Sequence, residues 1–144
     1  MTAPQLPPTL ADRPHDAVRG VPIPFVHEYD DGSYDLAVLN SKRAVQCALS
    51  RVCALCAQSL SYPLAFLGDQ EAADTRAYTY PPMHLACAEA AVRLYAPTPA
   101  ATGGRPVGAW AVLLTGSFEL ERPTRRGDPM LFRPAPGEVR TFDT

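Results

Sequence analysis

The pattern of hydrophobic and polar positions is clearest in the C-terminal part of the chain. Several short apolar segments there alternate in part with polar residues, and turn residues such as Gly116 separate them. Partial alternation of this kind is typical of strands with one buried face. It predicts an antiparallel β region within residues 109–142 that packs against the rest of the chain. The predicted strands are residues 109–114, 117–121, 130–133 and 139–142.

The N-terminal part predicts one strand, one helix and an apolar arm. Residues 34–39 alternate enough for a strand, and residues 41–51 predict a helix with Asn40 as its N-cap. Residues 21–26 are apolar and extended, which indicates an arm that packs on a core. Residues 1–20 show no such pattern, and we expect them to form a disordered tail.

A second helix is predicted at residues 83–95, where good helix formers follow one another. Pro81 and Pro82 end whatever precedes it, and Pro97 stops it. Before the helix, two short apolar segments predict the two strands of a hairpin. They are residues 62–67 and 77–80.

Two spaced pairs of metal-ligating residues flank the predicted hairpin. Cys53 and Cys56 form a CxxC pair, His84 and Cys87 form an HxxC pair, and residues 57–83 separate them. Three soft thiolates and one imidazole are the ligand set of a closed, tetrahedral structural zinc site. We therefore predict one structural zinc ion, Zn²⁺, bound by these four residues.

The order of a zinc knuckle, a hairpin and a helix is that of a treble clef. The predicted fold is therefore α+β, with a treble-clef zinc module at residues 52–96 packed with a small antiparallel β-sheet. A chain of 144 residues has room for one domain. We place that domain at residues 21–142, with a linker rich in Pro, Ala and Gly at residues 98–108.

Other uses of the cysteines match the sequence less well. Residues 1–8 carry neither a basic region nor an apolar run, so we expect no signal peptide and a cytoplasmic protein. Disulfides are rare in that compartment. A redox CxxC pair begins a helix after a strand, whereas this pair follows a predicted helix. Cys47 is interpreted as a small buried hydrophobe, with a spare ligand or a reactive thiol as the alternatives.

Composition narrows the class of protein without indicating an activity. No apolar run reaches the roughly 18 residues of a membrane-spanning helix, so no membrane association is expected. The formal net charge is −2, which gives no bulk electrostatic case for nucleic acid. Residues 1–40 hold two arginines against six acidic residues, a net charge of −4. That segment suits a basic partner surface, or its charge simply keeps the arm solvated.

Three segments carry a resemblance to a group of small uncharacterised bacterial and phage zinc proteins. They are residues 21–26, the CxxC segment within residues 53–68, and Pro81-Pro82-Met83-His84-Leu85-Ala86-Cys87-Ala88. The likeness covers residues 21–97 and is most specific in the metal motifs and the Pro-Pro-Met-His segment. Those relatives often end the helix with Cys-Pro where this chain has Ala96-Pro97, so a role for that cysteine is not carried over. The resemblance implies the zinc site and implies no settled activity.

The sequence favours a binding protein over an enzyme. Four protein ligands leave no open position for water on a zinc ion. A treble-clef nuclease of the HNH type needs a spare catalytic His on the hairpin, and residues 57–83 contain none. We therefore expect a zinc-stabilised, non-catalytic binding or adaptor protein whose partner is another protein. The alternative is nucleic-acid binding by two groups of basic residues, Lys42, Arg43 and Arg51 and then Arg122, Arg125 and Arg126.

Overall fold

The computed structural model describes residues 6–95, 109–128 and 130–143. The α-helices in these ranges are α1 (Pro8–Ala11), α2 (Ser41–Ser50), α3 (Gln70–Thr75) and α4 (Leu85–Leu94), and Phe25–His27 form one turn of 3₁₀ helix. The strands are β1 (Leu64–Gly68), β2 (Met83–His84), β3 (Ala109–Thr115), β4 (Phe118–Glu121), β5 (Leu131–Pro134) and β6 (Glu138–Asp143).

A four-stranded antiparallel sheet in the order β2-β1-β3-β6 forms the centre of the fold. β4 and β5 form a separate two-stranded sheet. β3 is a central strand, because it pairs with β1 from Leu64↔Thr115 to Gly68↔Ala111 and with β6 on its other side. The protein is thus mixed α+β with a small antiparallel sheet, as predicted.

Both faces of the central strands are buried, which explains the almost continuous apolar run of β3. Ala65 and Trp110 face a core that also contains α4 and all four cysteines. Phe66 and Leu113 face the opposite side, where α3 and the β4–β5 hairpin pack. A strand that is buried on both faces has no reason to alternate strictly.

The two longer helices lie close to their predicted positions. α2 begins after Asn40, whose side-chain oxygen accepts a hydrogen bond from the backbone N–H of Lys42 at 3.2 Å. α4 begins at Leu85 rather than at residue 83, because the two preceding residues pair with β1 as β2. The expected linker at residues 98–108 lies outside the described residues. None of the described helices is long and apolar enough to cross a membrane.

The predicted hairpin of residues 62–67 and 77–80 is wrong in its second strand. β1 pairs with β2 and β3, and α3 occupies much of the connection between β1 and residue 77. Tyr78 instead forms an isolated bridge with Phe132 of β5. The segment is apolar because Tyr78 is completely buried in the second core, and not because it continues the sheet.

The predicted strand at residues 34–39 is also wrong. Tyr34 makes an isolated β-bridge, but the carboxylate of Asp35 accepts a hydrogen bond from the backbone N–H two residues on, at 2.9 Å. This bond is typical of a turn rather than a strand. The carbonyl groups of Asp35 and Val38 are directed at the buried ring of His27 and are therefore used outside any sheet.

The prediction of a disordered tail is wrong for residues 6–20, and residues 1–5 lie outside the described part of the chain. Leu10 is completely buried among the residues of the first core. The guanidinium of Arg19 donates a hydrogen bond to the carbonyl of Leu94, at the end of α4, at 2.8 Å. One buried leucine and a few side-chain hydrogen bonds hold this segment on the core. Isolated contacts of this kind leave no periodic pattern in the sequence.

The apolar arm at residues 21–26 packs on the core along the CxxC segment. The backbone N–H groups of Phe25 and Val26 donate to the carbonyls of Leu55 and Ala54 at 3.0 and 3.1 Å. The two residues between the cysteines are therefore held in place by the arm. This contact makes the N-terminal part of the chain a support for the metal-ligating turn.

Candidate metal centre

The CxxC pair lies in a tight turn that follows α2. The backbone N–H of Ala57 donates to the carbonyl of Cys53 at 3.0 Å, and the N–H of Cys53 donates to the carbonyl of Gln58 at 2.8 Å. Ala57 closes the turn with a left-handed φ of +67°. Cys53 and Cys56 are both buried, so the turn directs both thiols into the protein.

The HxxC pair is placed by the sheet and the helix together. His84 is the last residue of β2, opposite Leu64 of β1, and it is also the N-cap residue of α4. Cys87 follows in the first turn of α4, so the two side chains lie on the same side of the helix. The backbone N–H of Ala54 donates to the carbonyl of Pro82 at 3.0 Å, which holds the CxxC turn against this segment.

The four predicted ligands are brought together. Their ligand atoms all lie within 4.8 Å of one another. His84 Nδ1 lies 3.4 Å from the Sγ of Cys56 and 4.0 Å from the Sγ of Cys87. In a tetrahedral site with Zn–S and Zn–N bonds of about 2.3 and 2.0 Å, sulfur and nitrogen are about 3.5 Å apart. The spacing therefore fits one metal ion bound by three sulfurs and one nitrogen.

The orientation of the His84 ring supports metal binding. Its Nε2 lies 2.8 Å from the carbonyl oxygen of Ser59 and donates a hydrogen bond to it. A carbonyl accepts only, so Nε2 carries the proton and Nδ1, which faces the sulfurs, has a free lone pair. Ser59 forms a bridge with Val52 at the base of the CxxC turn. The turn thus supplies two thiols and also fixes the tautomer of the histidine, as outer-shell partners of metal ligands do.

The pKa values of the clustered thiols diverge. Burial opposes ionisation of Cys53, but hydrogen bonds from Cys56 and Cys87 lower its pKa well below the usual range. The pKa of Cys87 is raised, because its thiol donates hydrogen bonds to the sulfurs of Cys53 and Cys56 and is buried. Negative charge is thus favoured at Cys53 over Cys87. A bound cation replaces the thiol protons and stabilises the thiolates.

Cys47 does not belong to this ligand set. Its side chain is completely buried in the same core, and burial raises the pKa of its thiol to about 12. A protonated, inaccessible thiol is neither a good nucleophile nor a metal ligand. The structure therefore favours the interpretation of Cys47 as a small buried hydrophobe.

His27 is a buried residue whose importance the sequence did not reveal. Its Nδ1 lies 2.9 Å from the carbonyl of Asp35 and 3.0 Å from that of Val38, and its Nε2 lies 2.8 Å from the hydroxyl of Tyr80. Burial lowers the pKa of His27. The ring is neutral, with Nδ1 donating and Nε2 accepting. All its polar atoms are engaged, so it is not available as a catalytic base. A single His after an apolar arm carries no sequence signal for this role.

The two predicted basic groups differ in their availability. In the first group, Arg43 is bonded to Glu28 at 3.1 Å, and Lys42 lies 3.8 Å from Asp30. The guanidinium of Arg51 lies 5.4 Å from the centre of an aromatic ring at the start of β4. The first group is thus largely neutralised or engaged, and it does not form a free basic patch. The second group is exposed in the β4–β5 turn: Arg122, Arg125 and Arg126.

Comparison of the chain with models of protein families, with curated proteins and with solved structures finds no match. The case for metal binding therefore depends on the geometry of the four residues alone. Within the described ranges it is also the one place where three or more His, Cys, Asp or Glu side chains gather in a metal-binding arrangement.

Proposed function

We propose that the protein is a zinc-stabilised, non-catalytic binding protein whose partner is another protein. The observation that carries the metal assignment is the His84 ring, with Nδ1 toward the sulfurs and Nε2 held by the carbonyl of Ser59. Thiolates and an imidazole suit zinc better than hard cations. Four protein ligands complete a tetrahedron, so a bound zinc ion has a structural role.

The arrangement of the centre supports a treble-clef module with an insertion. The CxxC turn is followed by β1, by the short partner strand β2 and by α4, which is the order of knuckle, hairpin and helix. α3 is inserted between the two strands of that hairpin. Zinc would join the turn to the start of α4, where one backbone hydrogen bond, from Ala54 to Pro82, already links them.

A nuclease of the HNH type has no support in this arrangement. Such an enzyme needs a histidine near the metal that can take a proton from water. His27 is neutral and buried, and both of its nitrogens have partners. His15 is exposed and lies in the N-terminal segment, where it bridges to Pro22.

A surface next to the metal centre supports a protein partner. A cavity of about 320 Å³ lies between the start of α4 and β6, and its walls include Tyr62, Leu85 and Leu114. Tyr62 is 82% exposed, and Glu138 and Arg140, paired at 3.2 Å, also line the cavity. Exposed Tyr and Arg side chains beside apolar residues are typical of protein interfaces. β6 is also an edge strand, and an extended segment of a partner can pair with such an edge.

The experiment compares capture of partners from the native host by three forms of the zinc-loaded protein. They are the unaltered chain, Tyr62→Ala, and Val18→Ala as the control, since Val18 is 92% exposed on a turn that does not line the cavity. We expect a partner protein, identified by mass spectrometry, whose capture falls at least about tenfold in Tyr62→Ala and not in Val18→Ala. Equal capture by the two variants would refute this surface, and zinc content below about 0.2 per chain with no other metal would refute the centre.

A further inference from the structure

Most arginine side chains in the described part of the chain are engaged with the protein itself. Arg43 and Arg133 are paired with acidic residues at 3.1 and 2.6 Å. Arg19 bonds to a backbone carbonyl. In contrast, three arginines within five residues of the β4–β5 turn are exposed and make no ion pair with any described residue. We refer to them as the arginine tip: Arg122, Arg125 and Arg126.

The hairpin that carries the arginine tip has a firm base. Phe132 of β5 is completely buried, and its backbone exchanges two hydrogen bonds with Tyr78, at 3.0 and 2.7 Å. The ring of Phe118 in β4 packs against Phe66 and Phe132. These contacts attach β4 and β5 to the second core, while the connection between the two strands is exposed.

The turn itself has a defined geometry. The backbone N–H of Asp128 donates to the carbonyl of Arg125 at 3.2 Å, and Gly127 between them has a φ of +92°. A φ in this region is readily adopted by glycine and rarely by other residues. The arginine tip therefore lies in the connection of residues 122–130, at the end of the two-stranded ribbon of β4 and β5, and one hydrogen-bonded turn shapes part of it.

We infer that the arginine tip binds the phosphate backbone of a nucleic-acid duplex, as a second contact of the proposed binding protein. A two-stranded β-ribbon has the width that the major groove of DNA admits. Guanidinium groups form bidentate hydrogen bonds with phosphate, and an unpaired arginine does not have to leave an internal partner to do so. The acidic groups of the hairpin are Glu119, Glu121 and Asp128, and Glu121 is already paired with Arg133.

The charge distribution sets the expected strength of this binding. The whole chain has a formal net charge of −2, so no long-range attraction assists the tip. Three phosphate contacts give a slope of about −2.7 in the logarithm of affinity against the logarithm of salt concentration. Affinity should therefore fall about 40-fold between 50 and 200 mM salt, from a dissociation constant of about 10 µM at the lower concentration.

The test is fluorescence anisotropy of a labelled 20-base-pair duplex with the full-length, zinc-loaded protein. One variant replaces the arginine tip with alanine at all three positions. The control variant removes the same charge from exposed residues elsewhere: Lys42→Ala, Arg76→Ala and Arg93→Ala. We expect the tip variant to lose at least about tenfold in affinity at 50 mM salt and the control less than about threefold.

The other outcomes overturn the inference. If the unaltered protein does not bind the duplex at 50 mM salt, or if both variants lose affinity equally, the tip is not a phosphate contact. If polyglutamate competes as well as unlabelled duplex at equal charge, the tip fits an acidic protein surface instead. The arginine tip and the three control residues are exposed and lie outside the first core. Zinc content and thermal stability should therefore match in all three proteins. Failure here therefore leaves the proposed protein-binding function untouched, and the reverse also holds.

Discussion

His27 should make the stability of the protein depend on pH in a way that one substitution removes. Its ring is 1% exposed, and Nδ1 faces two carbonyl oxygens that accept hydrogen bonds only. The neutral ring satisfies this site by donating from Nδ1 and accepting the hydroxyl proton of Tyr80 at Nε2. A protonated ring would place a second N–H against the hydroxyl oxygen and a charge in the core. Burial accordingly lowers the pKa of His27 below its ordinary value of 6.5.

The sign and size of the effect follow from proton linkage. The unfolded chain takes up a proton at His27 near pH 6.5, and the folded chain does so only at lower pH. Below pH 6.5 the unfolded state therefore binds more protons, and the free energy of unfolding falls as pH falls. One proton changes that free energy by at most about 1.4 kcal/mol per pH unit. The stabilisation is fully present above the unfolded pKa and is lost as pH approaches the folded pKa.

The assay is urea unfolding followed by the fluorescence of Trp110, the one tryptophan of the chain, which is 1% exposed. His27→Gln keeps an amide donor and a carbonyl acceptor without a titrating group. We expect it to cost about 1–2 kcal/mol at pH 7.5 and to have the shallower slope between pH 5.5 and 6.5. His15→Gln, at an exposed position, is the control and should keep the slope of the unaltered protein. All proteins are measured with excess zinc, so that protonation of the metal-binding cysteines and histidine affects each of them in the same way. Parallel slopes for the unaltered protein and His27→Gln would refute a neutral buried His27.

Three further predictions concern the cysteines and the backbone at Gly137 and Ala57. Elemental analysis should show that Cys56→Ser has lost its zinc, and its melting temperature should be lower. Cys47→Ser should keep about one zinc per chain. Equal zinc contents in the two variants would contradict the ligand assignment. In Gly137→Ala the added Cβ would lie 1.9 Å from the carbonyl oxygen of Leu114, so urea unfolding should show a loss of more than about 2 kcal/mol, and an unchanged midpoint would refute this packing. Ala57→Gly should relieve the left-handed φ of +67° and raise stability by about 0.5–1 kcal/mol, and a loss of stability would argue against that geometry.

The parts of the fold that could be predicted from the sequence are those with local signals. The four candidate metal ligands lie in two pairs, and within each pair a turn or a helix start determines the geometry. Asn40 marked the start of α2 because capping is a contact between near neighbours. The four C-terminal strands were also predicted near their observed places, because alternation and turn residues are read within a few positions.

The parts that could not be predicted depend on distant partners. β1 pairs with β3 across more than 40 residues, and its apolar run does not say which strand it will join. The apolar segment that contains Tyr78 is typical of a strand, yet Tyr78 makes only an isolated bridge, with Phe132 of β5. The burial of Leu10 rests on one side chain that enters the core. Such contacts are decided by the packing of the whole chain and leave no periodic pattern.

The metal centre and the hydrophobic core are one structural unit rather than two. Cys53, Cys56 and Cys87 belong to the same buried cluster as Trp110 and α4. The longest helices among the described residues have 10 residues, which is too short for a helix to be stable in water on its own. α4 therefore depends on the packing of its apolar face and on the bond that a metal at His84 and Cys87 would form at its start. Because the same cysteines line that face, loss of the metal would leave buried thiolates that must take up protons. The CxxC turn, α4 and the neighbouring strand β3 should consequently unfold together, and the fluorescence of Trp110 should report loss of the metal and loss of the fold as one transition.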